Sequence, residues 1–178
     1  MYSILKSWLT AGRLTVPASE LALSEATVVR LEQLEALSKS YRKALSRSVM
    51  IRHLDAGSCN AEEAELLALA NPVYDMSRFG LEITASPRHA DILTVSGPVA
   101  LQLLPAIKQT YDAMPEPKLV VAVGDGACYG TPYDTTYACL GPIDKFLPVS
   151  VYIGGDPPSP SDILAGLIEC QKQLSSLN

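Results

Sequence analysis

The stretch "ADILTVSGP", residues 90–98, carries four apolar or β-branched residues in a row, Ile92 to Val95, and ends at Gly97 and Pro98. A strand with one wet face alternates apolar and polar side chains. A continuous apolar run closed by a turn suits a strand covered on both faces. The same design recurs in "VMIRHLDAGS" (49–58), "KLVVAVGDG" (118–126) and "PVSVYIGGD" (148–156), each run stopping at a glycine-rich turn. Helix-like stretches lie between them, around residues 62–70, 100–114 and 161–174. Alternation of buried strands with helices predicts an α/β fold built on an open parallel sheet, with the four glycine-rich turns at one edge.

The rest of the chain is consistent with one compact body preceded by an extension. Its 178 residues are 48% hydrophobic, enough for a sizeable core. The formal charge is -5, and Lys and Arg are scattered rather than gathered into a patch, which argues against a nucleic-acid partner. No apolar run approaches the roughly 20 residues needed to span a bilayer, and the N-terminus lacks the blocks of a signal peptide. A cytoplasmic protein is expected, in which Cys59, Cys128, Cys139 and Cys170 serve as thiols or metal ligands before disulfides. No CxxC pair is present.

Residues 1–48 read as an N-terminal helical extension for partner contact, and residues 49–178 as the α/β domain. Ile4, Leu5, Trp8 and Leu9 form a short amphipathic stripe that Gly12 would end. A second helix is predicted from Ser24, with apolar positions at Val28, Leu31, Leu34, Leu37, Tyr41 and Leu45, acids early and bases late.

In open parallel sheets, ligands bind outside the carboxyl ends of the strands. The loops there would gather Cys59, Glu62, Ser96, Asp125, Cys128 and Asp156. The first turn follows its glycine with acids in "DAGSCNAEE", and acids at a helix start repel phosphate, which argues against a nucleotide or flavin. Nucleophilic chemistry at Cys59 would need a base, and its acidic neighbours disfavour the thiolate. Cys139 and Cys170 sit among apolar residues at no ligand spacing and read as small hydrophobes. In "SPRHAD", Asp91 reads as a turn cap ahead of its strand.

From Val49 to about Gly166, in order and with similar spacing, the chain resembles a known family. The segments that carry the resemblance are "HLDAGSCNAEEAELLALANPVYDMSRFGLEITASPRHADILTVSGPV", "YDAMPEPKLVVAVGDGACYG" and "YIGGDPPSP". The family is the small electron-transfer subunit of energy-converting membrane-bound NiFe hydrogenases and formate hydrogenlyase, which includes the quinone-proximal 20 kDa subunit of respiratory complex I. The resemblance implies a flavodoxin-like fold, helices on both faces of the sheet, and a 4Fe-4S cluster facing a large catalytic subunit. It also implies membrane subunits as partners and a place at the inner face of the membrane. In the family a glutamate at the position of Glu63 is associated with proton movement, and residues like Arg88 and His89 lie near the cluster or the interface.

The cluster ligands are where this chain departs from the family. A cubane takes one thiolate for each of its four irons. The family's G-S-C-N-G-C-E is "GSCNAEE" here, keeping Cys59 and placing Glu62 at the second ligand; G-D-C-A is "GDGA", placing Gly126 at the third, with Cys128 beside it as a substitute thiol; P-G-C-P-P is "GGDPP", placing Asp156 at the fourth. Carboxylates are hard donors that suit Mg, Ca or Mn better than cluster iron, although Zn accepts them beside Cys. Loss at three positions points to release from the cluster requirement, so no cofactor is expected. The chain then reads as a cluster-free scaffold joining the large subunit to membrane components, non-catalytic by itself. The alternatives are an electron-relay subunit with an unusual 4Fe-4S or other metal centre, and a stand-alone binding protein of the same fold.

Overall fold

The computed structural model describes residues 25–133 and 136–177. The chain divides into two units, residues 1–30 and 31–178. The Trp8 stripe expected near the start lies outside the described residues. A helix, α1 (Glu25–Leu45), leads into the second unit with Arg42 and Lys43 in its last turn, where they complement the helix dipole. Leu31 is buried and Leu34, Tyr41 and Leu45 pack on the core. Leu37 instead is 49% exposed, and the buried place on that line belongs to Ser38. The spacing 31, 34, 38, 41, 45 follows one helical face, and position 37 falls off it.

Five strands follow: β1 (Val49–Asp55), β2 (Leu81–Ile83), β3 (Ile92–Ser96), β4 (Leu119–Val123) and β5 (Val151–Ile153). They form one sheet in the order β2-β1-β3-β4-β5, with every pairing parallel. This is the flavodoxin-like winding, in which the strand order reverses between β1 and β3. All five residues of β3 and all five of β4 are buried. Their side chains alternate between two cores, as a strand covered on both faces requires. Ile92, Val121 and Val123 join α1, α2 (Ala61–Ala68) and α5 (Pro160–Leu177) on one face. Leu93, Val95, Val120 and Ala122 meet Ile107 of α3 (Leu104–Ala113) and Ala127 of α4 (Gly124–Tyr129) on the other. The expected architecture, an open parallel sheet with helices on both faces, is the one observed. The edge strand β2 is the element without a sequence signal, since it has three residues and exposes Glu82 and Ile83.

Two polar anchors fix the elements that position the carboxyl edge. Asp91, buried just before β3, accepts 2.6 Å hydrogen bonds from Nη1 and Nη2 of Arg47 and a 2.9 Å bond from the Met50 backbone N–H. Arg47 is thus the base on Asp91, in place of the turn-capping role that the sequence suggested for this residue. In α5 the buried Gln171 donates through Nε2 to the Phe79 carbonyl at 2.9 Å, tying that helix to the turn before β2.

Replacing Asp91 by Ala strands the Met50 N–H and leaves Arg47 without its carboxylate, and is expected to cost about 2–4 kcal/mol. Asp91→Asn should cost less, because its carbonyl keeps one acceptor for Met50. Urea unfolding of the two variants measures the difference.

A candidate site at the carboxyl edge of the sheet

β1 ends at Asp55, whose Oδ1 accepts the backbone N–H groups of Gly57 and Ser58, both at 2.7 Å. This aspartate-centred turn carries the chain through exposed Cys59 to Asn60, which takes a left-handed conformation before α2. The first turn of α2 then presents Glu62 and Glu63, where acids are favoured by the exposed N–H groups. β4 runs directly into α4, and Asp125 locks that junction to the loop after β5. Its N–H donates to the Gly155 carbonyl at 2.9 Å, and its Oδ1 accepts the Gly155 N–H at 2.7 Å.

The two adjacent glutamates sit in opposite environments. Glu63 accepts from Ser58 Oγ at 2.6 Å, from Ser96 Oγ, and from His53 Nε2 at 3.2 Å. Burial alone would raise its pKa, but the hydroxyl and imidazole bonds outweigh that and hold Glu63 below the usual carboxylate range. His53 is pushed below its ordinary value by burial, against the pull of Glu63. Its Nδ1 lies 3.1 Å from Thr94 Oγ1, so the neutral tautomer that serves both contacts donates from Nε2 and accepts at Nδ1. An apolar cavity of about 270 Å3, lined by Ile51, Leu66, Met76 and Ile83 as well as His53 and Glu63, lies beside this network.

Glu62 has no such partners. It is 4% exposed, and its Oε2 makes no hydrogen bond among the described residues. Burial first, then the negative charges of Glu63, Asp156 and Asp55, push its pKa up, against a bond from its own backbone N–H. Gly124 makes room for it: a Cβ there would stand 2.6 Å from Glu62 Oε1, and the backbone has a φ of +86°. Only glycine meets both conditions without strain.

The structure brings Cys59, Glu62, Ser96, Asp125 and Asp156 to one edge, as their loops predict. Cys59 and Asp156 are exposed, while Glu62 turns inward. Gly126 is buried on α4, and a Cβ at this position would come within 2.8 Å of Pro98 Cδ and 3.1 Å of Gly97 Cα. Cys128 is also buried. Its Sγ lies 3.7 Å from the carbonyls of Ala122 and Ile153, and burial pushes its thiol up to about 11. Arg88 and His89 are exposed in the turn Pro87–His89 that leads into the amino end of β3. Cys170 is buried, its thiol pushed up to about 12 by burial, and Cys139 is half-buried.

The donors present do not fit a four-iron cubane: one thiol is exposed, one carboxylate is turned inward, one position has no room for a Cβ, and among the described residues no three His, Cys, Asp or Glu side chains converge as metal ligands would. The residues that sequence reasoning left unassigned are His53, Thr94 and Ser58. His53 and Thr94 lie on neighbouring strands in direct register, a pairing that no local spacing reveals.

A doubly wound parallel sheet with its polar residues at the carboxyl edge defines the class. Within that class, the chain belongs to the NADH ubiquinone oxidoreductase 20 kDa subunit family, whose model matches residues 59–170. It is 38% identical over 135 residues to the "Probable membrane-bound hydrogenase subunit mbhJ" of Pyrococcus furiosus, covering 76% of this chain and 81% of that one. It is 45% identical over 111 residues to an NADH-quinone oxidoreductase subunit of Bacteroides thetaiotaomicron, covering 62% of this chain and 56% of that one. Among solved structures, a chain of the membrane-bound sulfane sulfur reductase, an archaeal respiratory membrane complex, superposes with a TM-score of 0.66 at 30% identity, over 76% of this chain and 75% of that one. No helix among the described residues is long and apolar enough to cross a membrane.

Because folding raises the pKa of Glu62, the folded chain holds this proton to higher pH than the unfolded chain does. Ionised Glu62 therefore destabilises the fold at neutral pH, and the cost disappears below the ordinary carboxylate range, where both states are protonated. Thermal unfolding as a function of pH should show wild type losing ground to Glu62→Gln as pH rises above the ordinary carboxylate range. Placing a cysteine at position 126 should cost about 1–3 kcal/mol through the Pro98 contact, read as a fall in Tm.

Proposed function

We propose that this chain is a cluster-free scaffold, seating the large subunit of a hydrogenase-like or complex-I-like oxidoreductase against its membrane components. That it is a subunit of such an oxidoreductase rests on the family match and on the relatives named above. The large and membrane subunits are its partners, and its place is peripheral to the membrane on the cytoplasmic side. By itself it carries out no reaction.

The single observation that supports a cluster-free role is the state of the four ligand positions. Gly126 is packed against Gly97 and Pro98, and Glu62 is folded inward over Gly124. A chain under selection to hold a cubane needs four thiolates directed at one point. Here the same loops are joined by the Asp125–Gly155 pair and by the Ser58–Glu63–Ser96 bonds, so they keep their places by protein contacts alone.

Iron and acid-labile sulfide in the anaerobically purified complex, with Cys59→Ala beside it, test this role. The expected result is that this subunit contributes neither, so that the two preparations match. Four irons and four sulfides that disappear with Cys59→Ala would overturn it and make the chain an electron relay.

A further inference from the structure

We propose that a basic groove at the amino edge of the sheet is a docking site for the phosphate headgroups of an anionic lipid surface. The groove has a volume of about 460 Å3 and is lined by Lys39, Arg42 and Lys43 of α1 and by Ser46, Arg47 and Ser48 of the link into β1. Every lining side chain can donate a hydrogen bond and none is a carboxylate, so the chemistry the groove fits is an oxyanion. Along the sequence the bases look scattered, yet four of the chain's 14 meet here. Partners within the fold satisfy only part of them. Arg47 holds Asp91, and Lys39 holds Glu35 at 2.9 Å. Arg42 donates through Nη1 to the Arg78 carbonyl at 3.4 Å, and Lys43 has no hydrogen bond or ion pair among the described residues.

The helix keeps this arrangement at a cost. Lys39 and Lys43 stand one turn apart on the same helical face, where like charges repel. The dipole of α1 welcomes bases in its last turn, which accounts for Arg42 and Lys43 but not for the group of four. An external anion offsets that excess, and the position of the groove decides its kind. The groove lies at the C-terminal end of α1, whose carbonyls disfavour the close enclosure of a small anion that a helix N-terminus gives. The side chains of Lys39 and Arg47 are 61% and 54% exposed, so the charges stand out toward a surface. Asp55, Glu62, Glu63, Asp125 and Asp156 gather at the opposite, carboxyl edge, whereas exposed Arg88 adds to the amino edge. An anionic surface repels a chain of net charge -5 except through its basic end, so this separation turns the amino edge toward the lipid. The choice of a lipid over a soluble anion rests on the membrane-peripheral place proposed above.

The test mixes the full chain with phosphatidylcholine vesicles, with and without about one quarter phosphatidylglycerol, and measures the bound fraction by cosedimentation over about 0.05–0.5 M salt. Wild type is compared with Lys39→Gln/Lys43→Gln and with Lys108→Gln/Lys172→Gln, which removes the same charge from exposed positions on α3 and α5. Wild type should bind only the anionic vesicles and be released as salt rises. The groove variant should bind them at least about tenfold more weakly, since each base near an anionic surface changes affinity roughly fivefold, while Lys108→Gln/Lys172→Gln should bind like wild type. Arg47 is left in place because it anchors Asp91. If the groove variant does not fold, as judged by circular dichroism, Lys43→Gln alone decides, with a loss of roughly fivefold. Failure of wild type to bind anionic vesicles, equal binding with and without phosphatidylglycerol, or equal losses in the two double variants overturns the inference. Saturable binding of inorganic phosphate, read by calorimetry and lost from the groove variant, with no vesicle binding, overturns the lipid in favour of a soluble anion. These outcomes are independent of iron content and of large-subunit retention, so a failure here leaves the scaffold role standing.

Discussion

The parallel register of the central strands is the constraint on which the rest depends. Asp55 of β1 stands opposite Ser96 of β3, Ser96 opposite Val123 of β4, and Val123 opposite Ile153 of β5. Four strand ends therefore lie in one row, and every loop that leaves the row begins within a few ångströms of its neighbours. Two cores hold that row in place by covering both faces of β3 and β4. A slip of one residue in any pair would exchange the two faces and move its loop out of line, so burial on both sides enforces the alignment.

The polar edge that results assigns different work to two consecutive glutamates. Glu63 faces strand residues, where Ser96 and His53 supply hydrogen bonds and keep it ionised. Glu62 faces the start of α4, where Gly124 supplies space but no donor to its Oε2. One helical step of about 100° separates an acid that is solvated by the protein from an acid that is not. Identical side chains with separated proton affinities provide a fixed charge and a responsive one side by side.

The loops that leave the strand ends must be held to one another. Here the closure of the same edge is accounted for by side-chain and backbone contacts: Asp125 with Gly155, Gly126 against Gly97 and Pro98, and Ser58 with Glu63. These contacts hold the loops after β1, β3, β4 and β5 in one arrangement. At Gly126 the space a side chain would take is already filled by the Pro98 ring.

Much of this was legible along the chain. Four apolar runs ending in glycine turns specify buried parallel strands, because only a doubly covered strand dispenses with polar alternation. The turns locate the edge, and the ordered motifs identify the family. The three-residue β2 was not legible, since so short an edge strand lacks any period, and neither was the Arg47–Asp91 pair, whose members are distant in sequence. The candidate site divides in the same way. Cys59, Glu62, Gly126 and Asp156 were singled out by the resemblance of their segments to the family's motifs, which is read locally along the chain. The link of His53 to Thr94 and Glu63, the inward turn of Glu62 and the crowding at Gly126 come from the tertiary structure alone, because strand register and helix approach decide which distant atoms share a space.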